Sequence, residues 1–196
     1  MADAQFILAS ASPRRRELLD QLGYSYTVLP VDIDETPAAN ENPDAYVKRM
    51  ATNKVRAGWE CSDKLPVLAA DTICVLDQQI LGKPESLHAA EVMLGKLSGC
   101  KHTVITVVSL YNGQHQQIVS KSQVSFKPLS MIEIQRYCQT HEPLGKAGSY
   151  AIQGYAAAFI SEISGSYSGI VGLPLFETAE LLKQVDIHIF STKLRR

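Results

Sequence analysis

Apolar positions along the chain fall into short strand-like runs separated by helical stripes. Phe6-Ile7-Leu8-Ala9 is an apolar run that stops at small hydroxyl residues. Ser12 then suits an N-cap and Pro13 the first helical position, with Leu18, Leu19 and Leu22 as a buried stripe and Gly23 as the stop. Residues 24–29 alternate and predict a strand. Asn42-Pro43 opens a helix to about Gly58, with Tyr46, Val47, Met50, Ala51 and Val55 on its apolar face. Residues 65–76 form a near-continuous apolar strand, followed by a turn at Asp77-Gln78-Gln79 and a short return at Ile80-Leu81. Ser86 caps a helix that turns Ala89, Ala90, Met93, Leu94 and Leu97 to the core and stops at Gly99. Residues 102–111 and 114–126 flank Asn112-Gly113, a strong hairpin signal. Ser130-Met131-Ile132-Glu133 is a capping box for a helix ending near Gln139. The segment 143–154 has no clean period and reads as a loop. Beyond it the pattern predicts a strand over 156–163, a turn over 165–169, a helix from Pro174 through Leu181 and Leu182, and a last strand over 186–190.

A few charged residues break this pattern. Arg14, Arg15 and Arg16 occupy the first turn of the first helix. That end already carries positive partial charge, so each is unfavourable by roughly a few tenths of a kcal/mol. Departures of this kind mark functional sites. Free N–H groups, the Ser10 and Ser12 hydroxyls and guanidinium forks would together make an anion site, and phosphate fits it best. Arg15 shares the stripe of Leu18, Leu19 and Leu22 and should face inward, whereas Arg16 is placed to pair with Asp20.

Asp71 is the single carboxylate inside a greasy strand. Unpaired and ionised there, it would cost several kcal/mol, by order of magnitude. It must be hydrogen-bonded, metal-bound or turned to a polar cleft. Lys54 lies one turn beyond Met50, on or beside its helix's apolar face, and either snorkels to solvent or reaches into a cleft. Three carboxylates, Asp32, Asp34 and Glu35, form an acidic loop before Pro37. Lys83 sits between Gly82 and Pro84, which fix its backbone. The loop 143–154 carries three glycines and Lys146, as where backbone approaches a ligand closely.

Composition narrows the classes. The 196 residues suit one domain or two small lobes, and 45% hydrophobic content allows a real core. A formal net charge of −1 argues against bulk nucleic-acid binding. Cys61, Cys74, Cys100 and Cys138 form no CxxC, so neither a zinc site nor a disulfide framework is expected. No signal peptide or membrane-length apolar run is seen, and a cytoplasmic protein is expected. The five histidines are scattered and read as structural.

Arg14, Arg15, Lys54, Lys83 and Lys146, set against Glu35 and Asp71, are the mixture that phosphoryl chemistry needs. Cations and a divalent ion offset polyphosphate charge, while a carboxylate orients or deprotonates the attacking water. Hard oxygen donors favour magnesium or manganese. Neither a P-loop nor a dinucleotide fingerprint is present.

Five motifs, Ser10-x-Ser12-Pro13-Arg14-Arg15, Ala70-Asp71-Thr72, Leu81-Gly82-Lys83-Pro84, Lys146-Ala147-Gly148 and Val171-Gly172-Leu173-Pro174, together resemble the Maf family of nucleoside triphosphate pyrophosphatases. The resemblance covers nearly the whole chain, 1–196, as a single Maf-like domain. It implies an α/β fold like that of the inosine triphosphate pyrophosphatases, an elongated mixed sheet flanked by helices, with two lobes around a central cleft. It also implies a homodimer that hydrolyses a nucleoside triphosphate to monophosphate and pyrophosphate with a divalent metal, Mg2+ or Mn2+. By position, Asp71 matches the proton-accepting carboxylate. Ser10, Arg14, Arg15, Lys54 and Lys83 match phosphate-binding positions. Glu35, with Asp71, matches an acidic position near the metal.

Thr72 and the run from Ala147 to Gly154 are similar to the family's pyrimidine branch, which acts on dTTP and UTP. The branch acting on 7-methyl-GTP has an acidic residue where this chain has Gln153. A Gln amide complements the O4 and N3–H edge of uracil or thymine, whereas a carboxylate only accepts, as the guanine edge requires. Arg14, Thr72 and Gln153 are therefore the expected specificity positions. Gly145 and Gly169 replace the Asp and Asn usual in the family, both in loops. A role in regulating cell division, associated with the family, is the alternative to catalysis.

Overall fold

The computed structural model describes residues 4–189. In chain order it contains β1 (Phe6–Leu8), α1 (Pro13–Gln21), β2 (Tyr26–Val28), α2 (Pro43–Glu60), β3 (Val67–Leu76), β4 (Gln79–Leu81), α3 (Leu87–Leu97), β5 (Lys101–Tyr111), β6 (His115–Phe126), α4 (Met131–Cys138), β7 (Ile160–Ser164), α5 (Tyr167–Val171) and α6 (Leu175–Lys183). The strands form a seven-stranded sheet in the order β2-β1-β3-β5-β6-β7, with β4 on β3. The sheet is mixed. β1 runs parallel to β2 and β3, while β4 and β7 pair antiparallel with β3 and β6. The α/β class expected from the sequence is the class observed.

Helix starts follow the sequence signals. Asn42 Oδ1 accepts from Ala45 N–H at 2.8 Å, Ser86 Oγ from Ala89 N–H at 3.1 Å, and Ser130 with Glu133 makes the full capping box. α1 differs: Ser12 occupies the N-cap but its side chain caps nothing, and Ser10 Oγ accepts the Ser12 N–H at 3.2 Å instead. Asp20 takes the Tyr26 hydroxyl at 2.8 Å. Asp77 and Gln78, both at positive φ, make the β3–β4 turn.

The chain divides into two compact units. The first comprises the described residues up to Asp71, Thr106–Ser120 and those from Gly172 onward. Its core packs Val55 of α2 against Ile7, Ala9, Val67 and Ala69. Gly58 makes the close approach possible: a Cβ there would lie 2.8 Å from Val67 Cγ1 and 2.9 Å from Ala9 Cβ. The second comprises Thr72–Ile105 and Lys121–Val171. Its core joins Leu94 and Leu97 of α3 to Val104, Val124, Phe126 and Ile134. Phe126 meets His102, Tyr150 and Phe159 edge-on, with ring centroids 5.0–6.3 Å apart.

Three expectations are corrected. Tyr155–Phe159 is a 3-10 turn, and the strand begins only at Ile160. Two amides at the start of that turn, Tyr155 and Ala156, are taken by the Glu142 carboxylate, and Ala157 N–H by Gly154 O, so the ladder starts late. The turn over 165–169 is confined to Gly165, at φ +118°, after which Ser166 starts the short α5. Residues 186–189 are not a strand, since Asp186 at φ +59° turns the chain; Phe190 lies outside the described residues.

Candidate functional site

In the first unit, helix α2 and strand β3 bring together residues far apart in sequence. Tyr46, Met50 and Lys54 recur every four residues and share one face of α2. At the end of that row, Lys54 Nζ lies 2.6 Å from Asp71 Oδ1 and 2.6 Å from Glu35 Oε1. The Lys54 and Asp71 side chains are 13% and 11% exposed, and Glu35 is 43% exposed. This resolves both open points of the sequence. Asp71 is not stranded in its strand, and Lys54 does not snorkel.

The acidic loop is pinned to α2 by Tyr46, read from the sequence as part of the apolar face, and by Arg49, which that reading left without a role. The Tyr46 hydroxyl donates to the Glu35 carbonyl at 2.8 Å. Burial, with Asp71 and Glu35 adding to it, pushes that phenol up to about 12, so it stays a donor. Arg49 donates to the Thr36 carbonyl at 3.1 Å, pairs with both oxygens of Glu41 and lies over the Tyr46 ring. The spacing that sets Tyr46 and Lys54 on one face of α2 was a usable signal, though not for what either side chain touches. The Arg49–Glu41 pair, made through a loop, was not.

Arg15 faces inward, as its place on the α1 stripe required. Its Nε donates to the Gly172 carbonyl at 2.8 Å and its Nη1 to Ser10 Oγ at 3.2 Å. Burial pulls the guanidinium below its ordinary value, and neighbouring Arg14 adds to that; Asp71 and Glu35 oppose it. Ser10, Arg14, Arg15, Lys54, Glu35 and Asp71 all belong to this unit, and Arg15 feels the charges of Asp71, Arg14 and Glu35.

Thr72, Lys83, Lys146 and Gln153 belong to the second unit. Here the glycine-rich loop is fixed by its own contacts. Gly148, at φ +73°, donates its N–H to the Gly82 carbonyl beside Lys83 at 3.2 Å, and a Cβ on it would lie 2.8 Å from Cys74 Sγ. Ser149 Oγ reaches Met93 Sδ at 3.0 Å, and the Tyr150 hydroxyl bonds His102 Nε2 at 2.8 Å. Lys146 Nζ donates to the Glu142 and Leu144 carbonyls. Gln153 is exposed at the end of this anchored loop.

The donor set can be tested against a divalent cation. Among the described residues no group of three or more His, Cys, Asp or Glu could hold a metal alone. Yet two carboxylates already converge on one cationic centre, the Lys54 ammonium. Magnesium is commonly held by one or two carboxylates, with substrate phosphates and water completing the shell. Glu35 and Asp71 fit an ion of that kind. No helix among the described residues is long and apolar enough to cross a membrane.

Known proteins resemble this chain over most of its length. Residues 5–185 match the family model described as Maf-like protein. The chain is 48% identical over 186 residues to a dTTP/UTP pyrophosphatase of Pseudoalteromonas atlantica, covering 92% of this chain and 97% of that one. It is 50% identical over 197 residues to a dTTP/UTP pyrophosphatase of Nitrosomonas europaea, covering 93% and 95%. A looser structural likeness, TM-score 0.44 at 19% identity over 62% of this chain and 70% of the other, is to the Staphylococcus aureus Ham1 protein. With the family model matching residues 5–185, nearly end to end, the chain belongs to the Maf-like protein family.

Proposed function

We propose that this chain is a dTTP/UTP pyrophosphatase, hydrolysing the triphosphate to the monophosphate and pyrophosphate. The observation that carries the reading is the level of identity, about half over more than nine tenths of the chain, to relatives bearing that name. In the reaction, a water oxygen bonds to the α-phosphorus. The bond from that phosphorus to the α–β bridging oxygen breaks, and pyrophosphate leaves with the oxygen. Asp71 is assigned to accept the water proton. Lys54, 2.6 Å away, holds that carboxylate in place for the water.

Ser10, Arg14, Arg15, Lys54 and Lys83 are assigned to phosphate, where guanidinium forks and ammonium groups offset charge. Glu35 and Asp71 would hold a divalent ion, Mg2+ or Mn2+, which when bound neutralises phosphate oxygens and polarises the phosphorus they surround. Arg14, Thr72 and Gln153 are assigned to base selection. A Gln amide both donates and accepts, as the uracil and thymine edge requires.

The test is product analysis over a nucleotide panel with magnesium. Pyrophosphate and monophosphate from dTTP and UTP, in preference to purine triphosphates, are expected. Release of orthophosphate and a diphosphate would overturn the assignment.

A further inference from the structure

Glu142 stands just before the glycine-rich loop and takes no part in the assignments above. Its carboxylate accepts the Tyr137 hydroxyl at 2.9 Å, the Tyr155 N–H at 3.1 Å and the Ala156 N–H at 3.4 Å. Its own carbonyl accepts the Lys146 ammonium. One residue thus ties down both ends of the loop that carries Gln153. Gly154 lies between, and a Cβ there would overlap the Glu142 carboxylate. Gly154 has φ −110°, outside the left-handed region, so the backbone does not demand glycine; the carboxylate does. Gln153 is the covalent neighbour of that seat, and the Gly154 N–H closes back on the Ala151 carbonyl at 3.0 Å. Tyr137 remains a donor because burial, and then Glu142 itself, raise its pKa.

We infer that Glu142, seated on Gly154, is the positioning residue that aims Gln153 at the pyrimidine edge. The inference rests on the assignment of Gln153 as the base reader. Bonds to a charged carboxylate are stronger than neutral ones, so the loop is fixed before any nucleotide arrives. Loss of the brace frees Gln153 to sample orientations that miss the base. The cost falls on binding and discrimination, while the chemistry at Asp71 continues.

The experiment is steady-state kinetics of the full chain with dTTP, UTP and GTP for Gln153→Ala, Glu142→Ala, Glu142→Gln, Gly154→Ala and the Glu142→Ala/Gly154→Ala double variant. Glu142→Ala should lower kcat/KM for dTTP and UTP about tenfold, chiefly through KM, and leave GTP nearly unchanged. Glu142→Gln, which keeps an acceptor oxygen, should recover much of the loss. Gly154→Ala, which evicts the carboxylate by another route, should reproduce it, and the double variant should be no worse than either single one. A uniform fall for all three nucleotides, or additive losses in the double variant, overturns the brace. If Gln153→Ala changes the dTTP/GTP ratio and neither Glu142→Ala nor Gly154→Ala does, the brace fails while the base-reader assignment stands. If Gln153→Ala leaves the ratio unchanged, both fail.

Discussion

The ammonium of Lys54 lies 2.6 Å from Oδ1 of Asp71, joining helix α2 to the middle of strand β3 across 17 residues of chain. Both side chains are nearly sealed from water, so the Asp71 charge depends on the Lys54 ammonium, which Glu35 shares. Lys54→Met should destabilise the protein by about 3–5 kcal/mol, the cost of leaving a buried charge unpaired. Urea unfolding measures it. The double variant Lys54→Met/Asp71→Asn should recover part of the loss, and a strictly additive double variant would refute the coupling.

Asp71→Asn keeps the shape of the side chain and removes its basicity. Turnover of dTTP should fall by about 10²–10⁴, the range general-base catalysis contributes, while nucleotide binding stays largely intact. Calorimetric titration with dTTP alongside the rate assay separates the two. Retained turnover would remove Asp71 from its role.

Gln153→Glu replaces a donor–acceptor group with an acceptor. Preference for uracil and thymine nucleotides should drop, read as the ratio of kcat/KM for UTP and GTP. An unchanged panel would count against the contact.

His102 is buried, and burial pushes its pKa from 6.5 down to about 4. As pH falls through 6.5 the unfolded chain takes the proton first, so stability falls with pH until about 4. The full loss is about 3 kcal/mol. Glu41 and Glu133, held down to about 2 chiefly by hydrogen bonds from Arg49 and Lys127, lose their contribution only below the ordinary carboxylate value of 4.5. His115, lowered by burial and by Arg56, shifts in the same direction as His102. The difference between the native chain and His102→Gln isolates His102. Denaturation curves from pH 7 to 4.5 should therefore be flatter for the variant, and parallel curves would refute the assignment.

Gly58→Ala would press a methyl group into Val67 and Ala9 one turn after Lys54. Overpacking of this kind costs about 1–3 kcal/mol. Because α2 carries both Lys54 and Tyr46, the displaced helix should also lower kcat/KM. A variant with native melting temperature and native activity would show that the seam yields.

Local rules made most of the fold legible. Asn42, Ser86 and Ser130 start their helices, and Asn112-Gly113 turns the hairpin, because each signal acts within four residues. The 3-10 turn at 155–159 was missed because a carboxylate thirteen residues upstream takes its amides. Asp71 was recognisable because a lone acid in an apolar strand violates solvation. Its partner was not, because the choice of Lys54 over other cations depends on how α2 lies against β3. Tyr46 looked like core, and only the path of the acidic loop reveals its hydroxyl on the Glu35 carbonyl. Glu142 looked like an ordinary loop acid, since nothing near it in sequence announces Gly154 as its seat.

The Arg15 fork closes on a carbonyl 157 residues further along the chain. During synthesis on the ribosome the arginine-rich turn emerges early, but this acceptor does not exist until Gly172 has been translated. A nascent chain halted before that point holds Arg15 without one of its anchors. The arginine-rich turn is therefore completed only after Gly172 has been made, although its own residues are among the first translated.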